Sequence, residues 1–416
     1  MGMKSLRGDV RSEIARTPGM LQVILLMAGS CLPVMAAVLI APVLPRIQAH
    51  YADLPNVQVL VPVMLTIPAL ILGLMAPFAG ALVDRLGRKH LLLAGLLLYG
   101  VAGTAPLWLG ELHAIIASRA LVGLAEAAVM TCCTTLVGDY WDGSRRERLL
   151  TLQTIFSSLA ATAFFFIGGS LGEMGWRMPF WLYAVGFVLW LPSMWLLWEP
   201  MRVQSATDAL ESSKEPFPLA LVTTICAMTL LAAVAFYLVP VHLGFLLDGM
   251  GERSPQRIGQ AMGISSVAVV LGAATYSPLS RLGVARQLSL AFGLLGAGSL
   301  WLAQAGSDSG DYASVVAAAS LGSLGGGMVI PTLVNWMMRS VSFAQRGRGT
   351  GAFMASFFIG QFICPLVVLG LGAVSGGGLL GAINTMGWGL GVIALVALLT
   401  FGVLRFAQAP AALVEK

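Results

Sequence analysis

GALVDRLGRKH, residues Gly80 to His90, is a short charged stretch between two apolar runs, and its reading decides the fold. Before it, Val59 to Val83 carries no charge over 25 residues; after it, Leu91 to Gly110 carries none over 20. A helix needs about 20 apolar residues to cross a bilayer, so each run is long enough to span. The few residues between them can only turn the chain back, which makes the two helices antiparallel neighbours with the hinge at one membrane face. Arg85, Arg88 and Lys89 mark that face as cytoplasmic, because lysine and arginine resist translocation.

Composition carries the same message along the whole chain. It is 57% apolar and 10% charged, with a mean hydropathy of +0.86, where soluble domains carry about 25% charged residues. Its 416 residues leave room for about twelve helices and for no soluble domain of ordinary size, so the expected fold class is all-α and polytopic. The net charge of +5 sits in turns between apolar runs rather than in one stripe, which topology explains and which excludes a nucleic-acid surface. Cys31, Cys132, Cys133, Cys226 and Cys364 all fall in apolar runs without companions at metal-ligand spacing; no metal or cofactor is expected. The glycine runs 325–327 and 376–378 lack the Lys-Ser/Thr of a phosphate loop, so no ATP-hydrolysing site and no enzyme activity are expected.

Helices are expected near 21–43, 58–82, 91–109, 113–138, 149–171, 178–198, 218–246, 258–279, 287–305, 312–337, 348–373 and 378–404. With the N-terminus inside, cytoplasmic segments hold 19 of the 24 Lys and Arg; Arg46, Arg177, Arg253 and Arg257 lie outside and Arg119 lies in a span. The organisation read from this is a cytoplasmic tail (1–20), a six-helix half (21–198), a polar linker (199–217), a second six-helix half (218–405) and a tail (406–416). The halves carry marks of a repeat: Asp84-Arg85-Leu86-Gly87 returns as Ser280-Arg281-Leu282-Gly283, and Arg146-Glu147-Arg148 as Arg346-Gly347-Arg348.

Gly80, Leu82, Asp84, Arg85, Gly87, Arg88 and Lys89 together resemble the signature motif of the major facilitator superfamily, between helices that count as second and third. Secondary resemblances are Ala41-Pro42-Val43-Leu44-Pro45, Arg119 with Gly123, the run from Gly168 to Phe180, and Gly360, Gln361, Phe362 and Pro365 in the eleventh helix. The chain departs from the drug/proton antiporters of that family in its fifth helix, where Leu152 to Phe166 holds no glycine or proline. The resemblance implies two six-helix halves rocking around a central cavity, with each chain a complete pathway, in a bacterial inner membrane. It implies that Asp84 latches the halves in the outward-open state, and it assigns the fourth-helix arginine to the proton-linked machinery of antiporters.

Charge inside a span costs about 2.5 to 3.5 kcal/mol, so Arg119 and Glu126 need a reason. Seven residues apart on one helix, they share a face with about 10 Å of rise between them. One reading makes them an internal polar network that locks the fourth helix to its neighbours. The other has Glu126 face a water-filled cavity, where taking a proton lowers the cost of closing the cavity around it, while Arg119 holds substrate or stabilises the carboxylate. Arg85 and Arg88 have Asp139 or Asp142 as expected partners, with topology alone as the other account of these charges. Gln153, Tyr237, Asn335, Trp336 and Gln361 are candidate cavity residues, and His242 reads as a headgroup-level residue. The favoured function is proton-coupled export of small apolar organic compounds. Proton-coupled uptake of an organic acid, with Arg119 as its anion partner, and a ligand sensor that does not transport are the alternatives.

Overall fold

The computed structural model describes residues 18–200, 217–307, 311–342 and 345–408; the side chains of Ala79, Ala81, Asp84 and residues 400–408 lie outside that description. So do the bulk of the two expected tails and the linker between residues 201 and 216. All regular structure among the described residues is helical, and twelve helices are long and apolar enough to cross a membrane. In chain order they are span 1 (Met20–His50), span 2 (Val57–Met75), span 3 (Arg88–Leu107), span 4 (Leu112–Tyr140), span 5 (Gly143–Glu173) and span 6 (Met178–Leu196). The second six are span 7 (Leu219–Gly249), span 8 (Pro255–Leu282), span 9 (Val284–Ala305), span 10 (Tyr312–Ser340), span 11 (Arg346–Ser375) and span 12 (Gly378–Leu399). In an apolar medium every backbone group must be bonded within its own segment, which helices achieve. Buried hydroxyls follow the same economy: Ser30, Thr66, Thr229 and Ser265 each donate to the carbonyl four residues back.

Spans 1–6 and 7–12 pack by one scheme. Span 4 packs against spans 1, 2 and 3, and span 3 against span 6; span 10 packs against spans 7, 8 and 9, and span 9 against span 12. Between the two groups, span 2 meets span 11 and span 5 meets span 8. The hinges match in backbone as well. Gly87 has φ +83° and Gly283 φ +80°, a region costly for any residue with a Cβ, and each caps the helix that follows it.

Three local departures from the sequence reading have physical causes. Span 1 runs on to His50 rather than ending at 43, through a 3-10 turn at Ala41–Val43 and a further helix Leu44–His50, because Pro42 and Pro45 sit at helix starts where a missing N–H costs nothing. Span 7 breaks at Tyr237, where Pro240 cannot donate to the carbonyl of Phe236. The hinge is not a loop: after a turn at 76–78, Ala79–Leu86 forms a short helix whose Val83 is buried in the core. His242 is buried against its neighbours within span 7, with Nε2 unbonded.

Candidate functional site

A cavity of about 670 Å³ lies between the two groups of spans, within the size range of small-molecule sites. Its walls come from spans 1, 2, 4 and 5 on one side and spans 7, 8, 10 and 11 on the other. On span 4 the lining steps from Glu126 through Met130 to Thr134, and on span 5 from Phe165 back to Leu150. Both tracks run towards the turn joining spans 4 and 5, which lies on the same face as the hinge. The cavity therefore reaches from mid-span to the hinge face. The walls are mostly apolar, with Phe236, Phe357 and Phe358 in ring contact on the span 7 and span 11 side.

Glu126 is the one acidic or basic side chain (Asp, Glu, Lys, Arg or His) among the lining residues. It is 1% exposed and its Oε1 has no hydrogen-bond partner. Arg119, on the same helix, is fully buried and is not in the cavity wall. Its Nη2 donates to the carbonyl of Ala36 at 2.9 Å, and its guanidinium lies over the ring of Tyr183, 5.0 Å from the centroid. No ion pair joins it to Glu126 at contact distance, although the two interact electrostatically. Gly123, between them, lets span 2 approach: a Cβ there would meet Pro68 Cα and O at 2.7 Å. The arrangement is a fixed cation beside an unpaired carboxyl at a solvent-sized space.

Of the five candidate cavity residues, three line it. Gln153 donates to Ser30 Oγ at 2.6 Å and Thr134 Oγ1 at 3.2 Å, tying spans 5, 1 and 4 together. Tyr237 lines the closed end, and its hydroxyl donates across to Ala37 O of span 1 at 3.2 Å. Gln361 is buried in the wall of span 11. Asn335 and Trp336 are outside the lining: Asn335 Nδ2 donates to its own helix at Pro331 O, 2.9 Å, and Trp336 packs half-buried on the apolar core.

At the hinge, Arg88 Nε pairs with Asp139 Oδ2 at 2.7 Å, joining span 3 to the end of span 4. The Arg88 and Lys89 amides donate to Glu199 at 2.7 and 2.9 Å, and Lys89 Nζ donates to Met194 O at 2.8 Å. Thus Glu199, just past span 6, caps the N-terminus of span 3, and its carboxylate lies 3.1 Å from where a Gly87 Cβ would stand. Arg85 and Gly80 are exposed, with open space beside Gly80; the Asp84 side chain, expected as a latch, lies outside the described residues. Tyr183 and Glu199 were not foreseen as site residues. An aromatic or a rim carboxylate has no period or spacing that separates it from packing.

A family model described as Major Facilitator Superfamily matches residues 26–365. The chain belongs to the major facilitator superfamily. It is an integral membrane protein of that family, with twelve candidate spans among the described residues. Among its relatives are protein spinster homolog 3 of Danio rerio, 31% identical over 107 residues, and multidrug resistance protein 2 of Bacillus subtilis (strain 168), 28% identical over 145 residues. The quinolone resistance protein NorB of Staphylococcus aureus (strain JH9) is 26% identical over 137 residues. These stretches cover 25%, 34% and 32% of the chain and 22%, 35% and 29% of the relatives, so the chain matches at most about a third of their lengths. A bacterial homologue of the human lysosomal transporter Spinster superposes with a TM-score of 0.70 at 14% identity, over 91% of this chain and 95% of that one. A peptide transporter, POT, in complex with alafosfalin superposes with a TM-score of 0.70 at 15% identity, over 90% and 93%. Both carry the likeness of fold.

Proposed function

We propose that this major facilitator exports small, largely apolar organic compounds in exchange for protons, by rocking residues 21–198 against 218–405 about the central cavity, with the 199–217 linker joining them. One observation carries the reading: the lone carboxyl of Glu126 in an otherwise uncharged cavity wall. A carboxylate there is costly while the cavity is closed, and a proton removes that cost, so protonation and access are coupled. Arg119, held by Ala36 and Tyr183, stabilises the deprotonated form from a fixed position. The multidrug and quinolone resistance relatives support export. The same reading sets both termini on the cytoplasmic side of an inner membrane, with the hinge arginines as its support, and gives one chain a whole pathway. Uptake of an organic acid is disfavoured, since no Lys, Arg or His lines the cavity and Arg119 is withdrawn from it.

The test is accumulation of a panel of labelled apolar compounds in energised cells expressing the protein, its Glu126→Gln variant or neither, with and without protonophore. Lower accumulation than the empty control, lost with protonophore and in the variant, is the expected result. Export that survives in Glu126→Gln would remove Glu126 from coupling, and higher accumulation would reverse the direction.

A further inference from the structure

The face opposite the hinge is shut, and one carboxylate is at the centre of its closure. Glu173 is the last residue of span 5. Its Oε1 accepts from Ser254 Oγ and from the Gln256 amide at 3.2 Å, at the N-terminus of span 8. Its Oε2 accepts from Arg46 Nη2 at 3.1 Å. Arg46, in the terminal helix of span 1, also donates to Gly172 O at 2.8 Å and to Arg253 O at 3.3 Å. Glu173 and Arg46 belong to spans 1–6; Arg253, Ser254 and Gln256 belong to the other six. The bonds to Ser254, Gln256 and the Arg253 carbonyl therefore cross between the two groups of spans, while Arg46 holds Glu173 and Gly172 within the first.

What they hold is a contact with no room in it. A Cβ on Gly169 would meet Pro255 O at 2.5 Å, and one on Gly172 would meet both Val43 and Pro255. The far ends of spans 1, 5 and 8 are thus closed to backbone contact directly beneath the carboxylate. The C-terminal partner strip is itself braced: Arg257 pairs with Glu252 at 2.7 Å and lies over the ring of Tyr312, whose hydroxyl donates to Arg257 O at 2.8 Å. Arg46 and Arg257 are among the basic residues that lie on the side where the positive-charge rule expects few. Their bonds account for them.

We propose that Glu173 is a positioning residue for transport: it latches the face opposite the hinge, so that the cavity opens towards the hinge alone, and must let go for the cavity to open the other way. This rests on the alternating-access reading above. A rocker with two end states needs a hold in each, and the bonds that define this one are a set that breaks together. The carboxylate's bonds to Ser254 and to the N-terminus of span 8 are charge-assisted and stronger than neutral ones, so its loss is expected to shift the balance of states by about tenfold.

The experiment uses the full chain with its five cysteines replaced, carrying one reporter at a time: Val43→Cys, buried under the latch, or Thr154→Cys, exposed in the cavity on the hinge side. Membrane-impermeant maleimide is applied from each face, with and without a proton gradient. In Glu173→Ala, labelling of the Val43 reporter from the far face is expected to rise about tenfold while the Thr154 reporter slows from the hinge face. Glu173→Gln, which keeps an acceptor for Ser254 and Gln256 but loses the charge facing Arg46, is expected to fall between. Unchanged labelling in Glu173→Ala, or both reporters rising together as in general loosening, would overturn the latch. Reciprocal changes driven by the gradient in the otherwise wild-type reporters test rocking itself: present with an inert Glu173→Ala, they leave alternating access standing and remove only the latch. Absent in every protein, they remove both.

Discussion

Gly259→Ala should turn the cavity round without unfolding the protein. A Cβ at Gly259, in span 8, would stand 2.5 Å from Phe165 O and 2.9 Å from Gly169 Cα, both backbone atoms of span 5 in the opposite half. Backbone cannot rotate out of the way as a side-chain tip can. A carbon and a carbonyl oxygen rest at about 3.3 Å or more, so spans 5 and 8 must part by roughly 0.8 Å at their far ends. Forcing a methyl into a packed contact costs about 1 to 3 kcal/mol. The penalty falls only on the state in which these two spans touch, so it enters the balance between states, where 1.4 kcal/mol is about a factor of ten, rather than the balance with the unfolded chain. Gly272→Ala is the contrasting perturbation. Its Cβ would run into Leu324 O of span 10, within the same half and hence in every state, so it should lower the unfolding temperature and leave the balance of states alone. Spin labels at Ser144 and Arg281, exposed on the hinge face in opposite halves, read the difference as a distance distribution. For Gly259→Ala the shorter-distance population should grow between about 5-fold and 150-fold relative to wild type, with little change in thermal stability. An unchanged distribution in a stable Gly259→Ala protein, or equal thermal losses in the two variants, would refute the argument that spans 5 and 8 meet in one state only.

Two further outcomes follow from the site. Glu199→Ala strips the cap from the first turn of span 3, and chemical unfolding in detergent should show a loss of about 1 kcal/mol, with Glu199→Gln recovering part of it. Gly103→Ala would drive a methyl into the Cβ and Cγ of Tyr183, atoms too near the backbone to swing aside. Because Tyr183 stacks under Arg119, the expected result is loss of gradient-driven transport with the protein still folded, and normal transport in Gly103→Ala would mean that the ring does not hold the arginine in place.

The twelve spans and the hinge were legible because their signals are local. Apolar length against bilayer thickness needs no tertiary knowledge. The short repeat of the hinge was legible as sequence and returns as a shared backbone conformation at Gly87 and Gly283, where only glycine is comfortable. Glu126 and Arg119 stood out because a charge in a span is expensive wherever it points. What each faces was not legible: the two share a helix face by spacing, yet Glu126 meets the cavity while Arg119 is held in the interior of its own half by the Ala36 carbonyl and the Tyr183 ring. The same limit divides the uncharged candidates. Gln153 and Gln361 reach the cavity while Asn335 turns back on its own helix, and the phase that decides this comes from helix tilt and rotation. Glu173 and Glu199 were hidden for another reason, since a carboxylate at a span end is ordinary and only its partner across 81 or 111 residues gives it a role.

Span 1 is where the chemistry of span 4 and the contact between halves come together. Its consecutive carbonyls at Ala36 and Ala37 are taken by two donors of different origin: Arg119 from the same half and the Tyr237 hydroxyl from the opposite one. Both lie just before the helix gives way to the turn at Ala41–Val43, the segment against which Gly172 and span 8 close. Arg119 has little freedom, being fully buried between that carbonyl and the Tyr183 ring, with Nε and Nη1 otherwise unbonded. A buried cation with spare donors responds strongly to the charge of its one carboxylate neighbour on the helix, Glu126. In the proposed coupling, a proton on Glu126 removes that neighbour's field, and Arg119 then draws harder on Ala36, one residue from the bond that Tyr237 makes across the divide. Coupling between a proton site and a gate requires an element that both can bias, and under the proposed function the end of span 1, bonded by both donors, is where that bias would act. Tyr237→Phe tests it directly: the variant should keep the ring and the cavity wall, lose the bond to Ala37, and export down a substrate gradient while failing to respond to the proton gradient.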